Sequence, residues 1–196
     1  MTCGTESATH IRVFRRSHVL HRRQLLTLGS SLLLAPSAHA AASPYTEHGL
    51  IDQGGADLSL ADVAEGRTLI LVVMKGHYCP VCRAQLMRLQ QLMPRLRELQ
   101  TEIAGIDADP FEANRAISEK YGLTMSILSD REHAVIGALG LWLADAEHPM
   151  PAIVVFDRCG REVYRLLGRD PDARPEAALL ELARRLHHEP PQCTVA

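Results

Sequence analysis

The feature that most constrains this chain is a continuous apolar run, Leu69-Ile70-Leu71-Val72-Val73-Met74, followed within five residues by Cys79-Pro80-Val81-Cys82. Leu86, Leu89, Leu92, Met93, Leu96 and Leu99 then recur at three- and four-residue spacing. Six apolar residues without polar alternation suit a strand covered on both faces, and the leucine spacing predicts a helix over about 80–100 with one apolar stripe, kinked at Pro94. A doubly covered strand feeding an amphipathic helix commits the chain to a layered α/β architecture.

The remainder agrees with that architecture. A second strand is expected near Glu102–Ile106. Asp109-Pro110-Phe111-Glu112 supplies an N-cap, a first-turn proline and an acid at the third helical position, for a helix that stops at Gly122. Ser126-Ile127-Leu128 reads as a short strand, and Ser129-Asp130-Arg131-Glu132 as a second capping box opening a helix to about Leu139. Ala152–Phe156, the turn Asp157-Arg158-Cys159-Gly160 and Glu162–Leu167 read as a β-hairpin, and a last helix spans about 175–187. Right-handed crossovers make the early strands parallel and the hairpin adds an antiparallel edge, giving a mixed central sheet flanked by helices.

The 196 residues, 46% hydrophobic and 22% charged, allow one ordinary domain plus a processing segment and exclude collagen-like or wholly disordered readings. Charge is unevenly spread. Arg12, Arg15, Arg16, Arg22 and Arg23, with Glu6 as the sole acid, lie before Ala41. An arginine-bearing stretch, an apolar run from Leu25 to Leu34 and the triplet Ala38-His39-Ala40 follow the order of a secretory signal cut after Ala40. His21-Arg22-Arg23-Gln24-Leu25-Leu26 resembles a twin-arginine export signal; the alternative is an ordinary secretory leader, and either addresses the protein outside the cytoplasm, to the periplasm. The apolar run is too short for a permanent membrane anchor. Without residues 1–40 the chain keeps 16 basic against 22 acidic side chains, which offers no field for nucleic acid. The expected organisation is a removable leader at 1–40, a lead-in segment with a loose loop or small hairpin at 41–68, a domain core at 69–187 and a tail at 188–196.

The placement of Cys79-Pro80-Val81-Cys82 at a strand-to-helix junction gives the pair its chemistry. With Cys79 as N-cap, Pro80 takes the first helical position and Cys82 the third, where the helix dipole and unpaired N–H groups favour a thiolate. Two sulfurs three residues apart can also close on each other. Half of a zinc site would need a second ligand pair at metal spacing, and none is present in the sequence: Cys159 and Cys193 stand apart and His187-His188 are adjacent. A reactive dithiol fits better than a structural bridge, because so short a loop contributes little stability.

The stretch from Met74 through Cys79-Pro80-Val81-Cys82-Arg83 to Leu89, with the later Met150-Pro151-Ala152 through Cys159-Gly160, resembles the thioredoxin-fold redoxin superfamily. Within it the likeness is to peroxiredoxin-like proteins of the alkyl hydroperoxide reductase/thiol-specific antioxidant family, over roughly residues 49–186. The resemblance implies a thioredoxin-like fold and a thiol-dependent oxidoreductase cycling Cys79 and Cys82 between dithiol and disulfide. It implies electrons exchanged with a partner thiol protein, protein disulfides or peroxide as substrate, and no organic cofactor. It places Pro151 at a position that is usually a cis proline facing the cysteines, with Met150 supplying backbone contacts to a substrate chain. By the thioredoxin pattern Cys79 attacks and Cys82 resolves; by the peroxiredoxin pattern Cys82 attacks peroxide and Cys79 condenses with it. Typical peroxiredoxins carry threonine or serine three residues before the reactive cysteine, proline four residues further upstream and an arginine near the later strand. Here those places hold Cys79, Lys75 and Pro151.

Around the pair, His77 is a candidate proton shuttle, and Lys75 or Arg83 a candidate substitute for the missing groups that polarise the peroxide. Asp107 and Asp109 resemble a carboxylate pair, although Asp109 is also accounted for as a helix cap. Trp142 is expected in the core or an interface. Cys159 and Cys193 are open to three readings: free thiols, a bond to each other, or a second redox relay. An alternative function is a copper metallochaperone that binds Cu(I) through both thiolates with His148 as third ligand.

Overall fold

The structure is a computed structural model and describes residues 43–47, 49–168, 174–191 and 193. The expected leader lies outside the described residues. A small hairpin of β1 (Leu50–Ile51) and β2 (Asp57–Leu58) precedes a one-turn helix α1 (Leu60–Ala64). Next come β3 (Thr68–Val73), α2 (Pro80–Glu98), β4 (Thr101–Asp107), α3 (Phe111–Tyr121), β5 (Ser126–Ser129) and α4 (Ala134–Ala138). The short antiparallel pair β6 (Trp142–Leu143) and β7 (His148–Pro149) leads into β8 (Ala152–Phe156), β9 (Glu162–Leu167) and α5 (Glu176–His188).

Seven strands form one sheet in the order β2-β1-β5-β4-β3-β8-β9. β3 pairs parallel with β4 and antiparallel with β8, β4 pairs parallel with β5, and β8 and β9 form the expected hairpin. All six residues of β3 are buried, as an unbroken apolar run requires. Its side chains alternate between two cores. Ile70, Val72 and Met74 pack with Leu86, Leu89, Ile117 and Leu179 of α2, α3 and α5; Leu69, Leu71 and Val73 pack with Leu60, Val135 and Ile136 of α1 and α4. Each leucine so enclosed contributes about 1.5–3 kcal/mol, so the sheet gives a rigid base to whatever leaves its edge.

Two local expectations fail for physical reasons. Asp109 does not cap α3: the N-cap position is Pro110, with no side-chain bond, and the Asp109 carboxylate turns to His77 instead. A partner that offers both a backbone N–H and a ring nitrogen to one oxygen outcompetes a lone helix-end N–H. Ser129 does not open α4; it ends β5, and its hydroxyl donates to the Asp109 carbonyl. Helix α4 starts at Ala134, where the Asp130 carboxylate accepts from the N–H groups of Ala134 (3.0 Å) and Ile136 (2.7 Å). The capping acid is thus four residues before the helix, with His133 in a left-handed turn between them (φ 57°). Helix α2 continues through Pro94 to Glu98, with Pro94 on its exposed side, where water can reach the Gln90 carbonyl that loses its i+4 donor. The capping box of α1, Ser59 with Asp62, was not anticipated (Asp62 N–H to Ser59 Oγ 3.1 Å, Ser59 N–H to Asp62 Oδ2 2.8 Å). Trp142 is half-buried, its ring stacked on His133 with centroids 3.5 Å apart.

Candidate active site at the start of the long helix

Residues 74–79 leave the carboxyl end of β3 and turn into α2. Cys79 is the N-cap, Pro80 opens the helix and Cys82 stands on its first turn, as the spacing predicts. Cys79 and Cys82 are joined by a disulfide with their Cα atoms 5.3 Å apart. The two sulfurs differ in access: Cys79 is half-buried, whereas Cys82 is 0% exposed, packed among Met74, Leu86 and Leu89. The N–H of Cys82 points at Cys79 Sγ (3.3 Å). A helix-end donor aimed at one sulfur stabilises negative charge on that sulfur, so in the reduced state the thiolate is favoured at Cys79.

The turn before Cys79 is held from outside. Its own bond runs from the Cys79 N–H to the Gly76 carbonyl (3.0 Å). His77 donates to Asp109 Oδ2 through its backbone N–H (2.6 Å) and faces the same oxygen through Nδ1 (2.8 Å). Arg83 donates through Nη1 to the His77 carbonyl (2.6 Å), its guanidinium 5.6 Å from the Tyr121 ring centroid. Arg83 is therefore a structural tie rather than a free surface charge. Gly76 is a position only glycine fills: an added Cβ would lie 2.6 Å from Tyr78 Cε1 and 2.8 Å from Asp109 Oδ2. Tyr78 is 52% exposed and forms the apolar surface beside the pair.

Beneath the turn, Asp107 ends β4 fully buried. Its Oδ1 accepts from Asn114 Nδ2 (2.9 Å) and the Asp109 N–H (3.2 Å), while Oδ2, like Asn114 Oδ1, has no protein partner. Burial pushes the Asp107 carboxyl up to about 7, with the nearby Asp109 charge adding to the rise against its hydrogen bonds. Partial burial, then the carboxylates of Asp109 and Asp107, raise the Tyr78 phenol. Sequence reasoning singled out both aspartates but missed their link to the cysteine turn, because no local spacing reports a 32-residue contact.

Pro151 precedes β8, whose Ala152 pairs with Val73 at the end of β3. Met150 and Pro151 thus come to the sheet end from which the cysteine turn departs. The Met150 N–H is engaged by the Leu141 carbonyl (2.6 Å), and the Pro151 carbonyl accepts from Gly168 (2.8 Å). His148 turns Nδ1 to the Pro149 carbonyl (2.8 Å). Among the described residues no three His, Cys, Asp or Glu side chains group as a metal site, and none of them joins the cysteine pair as the third ligand expected for copper. Cys159 and Cys193 are bonded to each other, with Cα atoms 5.2 Å apart.

Comparison with known proteins narrows the class. Peroxiredoxin Bcp of Escherichia coli (strain K12) is 31% identical over 93 residues, covering 47% of this chain and 59% of that protein. Thiol-disulfide oxidoreductase ResA of Bacillus thuringiensis (strain Al Hakam) is 25% identical over 108 residues, 55% of this chain and 59% of that protein. The chain thus spans 59% of the length of these curated relatives. Among solved structures, Xanthomonas campestris peroxiredoxin Q aligns with a TM-score of 0.66 at 16% identity, over 74% of this chain and 94% of that one, which establishes the thioredoxin-like fold. The AhpC/TSA family model matches residues 38–164, and the chain belongs to that family.

Proposed function

We propose that the protein is an exported thiol-disulfide oxidoreductase in which Cys79 attacks and Cys82 resolves. The observation that carries this reading is the asymmetry of the bonded pair: Cys79 is partly exposed with the Cys82 N–H aimed at its sulfur, and Cys82 is sealed in the core. In the reducing direction the Cys79 thiolate attacks a partner disulfide, forming a mixed disulfide and releasing one partner thiol. Cys82 gives up its proton and attacks Cys79 Sγ, which releases the second partner thiol and leaves Cys79–Cys82 oxidised. A thiol protein returns two electrons and two protons by the reverse exchange. Tyr78, Met150 and Pro151 border the approach; with its N–H engaged, Met150 meets a partner chain through its carbonyl.

Membership of the AhpC/TSA family supports a second reading, in which Cys82 attacks peroxide. That step converts the thiolate to a sulfenic acid with loss of water from the peroxide, and Cys79 then condenses with it, expelling a second water. One pair of variants separates the two. In Cys82→Ser, Cys79 is expected to accumulate partners as mixed disulfides, and in Cys79→Ser none. Rapid sulfenic acid on Cys82 in Cys79→Ser after a peroxide pulse, read by mass spectrometry, overturns the assignment. Export is tested separately: the cellular protein is expected to begin at Ala41, and recovery of Met1 on the folded protein contradicts it. If the twin-arginine reading holds, replacing Arg22-Arg23 by Lys-Lys blocks export.

A further inference from the structure

We infer that Asp109 is the positioning residue of the Cys79 site, fixing the turn 76–79 and so the direction in which the Cys79 sulfur faces; this rests on the proposed reading of Cys79 as the attacking thiol. Asp109 is remote in sequence and lies at the junction of β4 and α3, yet one of its oxygens, Oδ2, takes both the backbone N–H and the ring Nδ1 of His77. An exposed ion pair alone contributes little. Here the same oxygen also satisfies a peptide N–H two residues before Cys79, and losing it leaves that N–H without its partner.

Asp109 is itself anchored on both sides. Its N–H donates to the buried Asp107 Oδ1 (3.2 Å), and its carbonyl accepts from the Ser129 hydroxyl. On the far side of the His77 peptide, the carbonyl is held by Arg83 Nη1 (2.6 Å). The His77 backbone is therefore clamped at its N–H from the loop after β4 and at its C=O from α2. Packing adds to the coupling: the space a side chain at Gly76 would need is taken by Asp109 Oδ2 and the Tyr78 ring edge, so both close on the turn backbone at Gly76. A carboxylate only accepts, so Nδ1 of His77 carries the proton toward Asp109. Asp109 thereby sets both the turn geometry and the tautomer of the histidine beside the thiol.

The test uses the reduced full chain and iodoacetamide, with Cys79 alkylation rates read by mass spectrometry and the dithiol–disulfide equilibrium read against glutathione. Asp109→Ala is expected to slow Cys79 alkylation about tenfold and to shift the equilibrium constant by a similar factor, the scale of a small displacement of a reacting group. Asp109→Asn, whose amide oxygen still accepts from the His77 N–H, is expected to stay within about threefold of the unaltered chain. Glu112→Ala, which removes an acid from the first turn of α3, is expected to change neither readout. Wild-type alkylation in Asp109→Ala, or an Asn variant as slow as the Ala variant, overturns the proposal. Should Asp109→Ala not fold, Arg83→Ala frees the His77 backbone at its carbonyl, and an unaltered rate there also overturns it. Iodoacetamide needs no physiological partner. A chain that never exchanges with protein disulfides yet shows the Asp109 contrast refutes the proposed function and keeps this inference.

Discussion

The two disulfides lie at opposite ends of β3. Cys79–Cys82 follows its carboxyl end, past Val73, whereas Cys159 sits in the β8–β9 turn after Phe156, which pairs with Leu69 at the other end. Their Cα separations are nearly equal, 5.3 and 5.2 Å, so the bond itself does not distinguish them. What differs is what each bond closes. The first joins two positions of one helix turn at a sequence separation of 3, and the second ties the hairpin turn to the tail across a separation of 34. At the second site the surroundings are also ties: Arg158 Nη2 donates to the carbonyls of Leu186 (2.9 Å) and Glu189 (2.6 Å) at the end of α5. Under the proposed function, position and loop length suit one bridge to exchange and the other to fastening.

The largest effect that sharpens this contrast is on stability. In the chain-entropy model the loop closed across a separation of 34 corresponds to about 4 kcal/mol and that closed across a separation of 3 to about 2 kcal/mol. Cys159→Ser is therefore expected to lower unfolding free energy by about 4 kcal/mol in oxidised protein and, once Cys79–Cys82 alone has been reduced, to leave the Cys79 alkylation rate unchanged. Denaturant titration with and without reductant checks it. A slowed Cys79 would show that the two ends of the sheet communicate.

The next effect belongs to the reactive end. Asp107 titrates near 7 in the folded chain against an ordinary value of 3.8, so across that window the folded state holds a proton that the unfolded state has released. Stability contributed by Asp107 is present below its ordinary value and is lost as pH rises toward and through 7, up to about 4 kcal/mol in total. Asp107→Asn keeps an oxygen for Asn114 and the Asp109 N–H and removes that loss. Its unfolding free energy is expected to gain on the unaltered chain between pH 4 and 8. A constant difference across that range would mean that the carboxyl is charged in the folded state.

Much of this was legible in the chain. The unbroken run of β3, the leucine stripe of α2 and the Cys-Pro-x-Cys placement each report a local physical requirement, and the structure agrees with all three. The two capping boxes read from Asp109 and Ser129 failed because tertiary partners, His77 and the Asp109 carbonyl, claimed those side chains. Short elements such as β6 and β7 were invisible, since two residues carry no periodicity. The Asp109–His77 contact and the Cys159–Cys193 bond join residues 32 and 34 apart, and only the strand order brings such residues together.

The smallest expected change tests how tightly the reactive end is built. Gly76→Ala adds one methyl group where Tyr78 Cε1 would stand at 2.6 Å and Asp109 Oδ2 at 2.8 Å. The Tyr78 ring is half exposed and can swing outward, but Asp109 is fixed through its backbone, so the turn itself must yield. Overpacking of this kind costs about 1–3 kcal/mol, less than loss of the Cys159 bridge. Unlike Cys159→Ser, it is expected to slow Cys79 alkylation, because the displaced turn carries the N-cap sulfur away from the Cys82 N–H. A double variant with Tyr78→Ala separates the two contacts. Restored alkylation there means the ring was the obstacle, whereas a rate that stays low assigns the constraint to Asp109 and the peptide it holds.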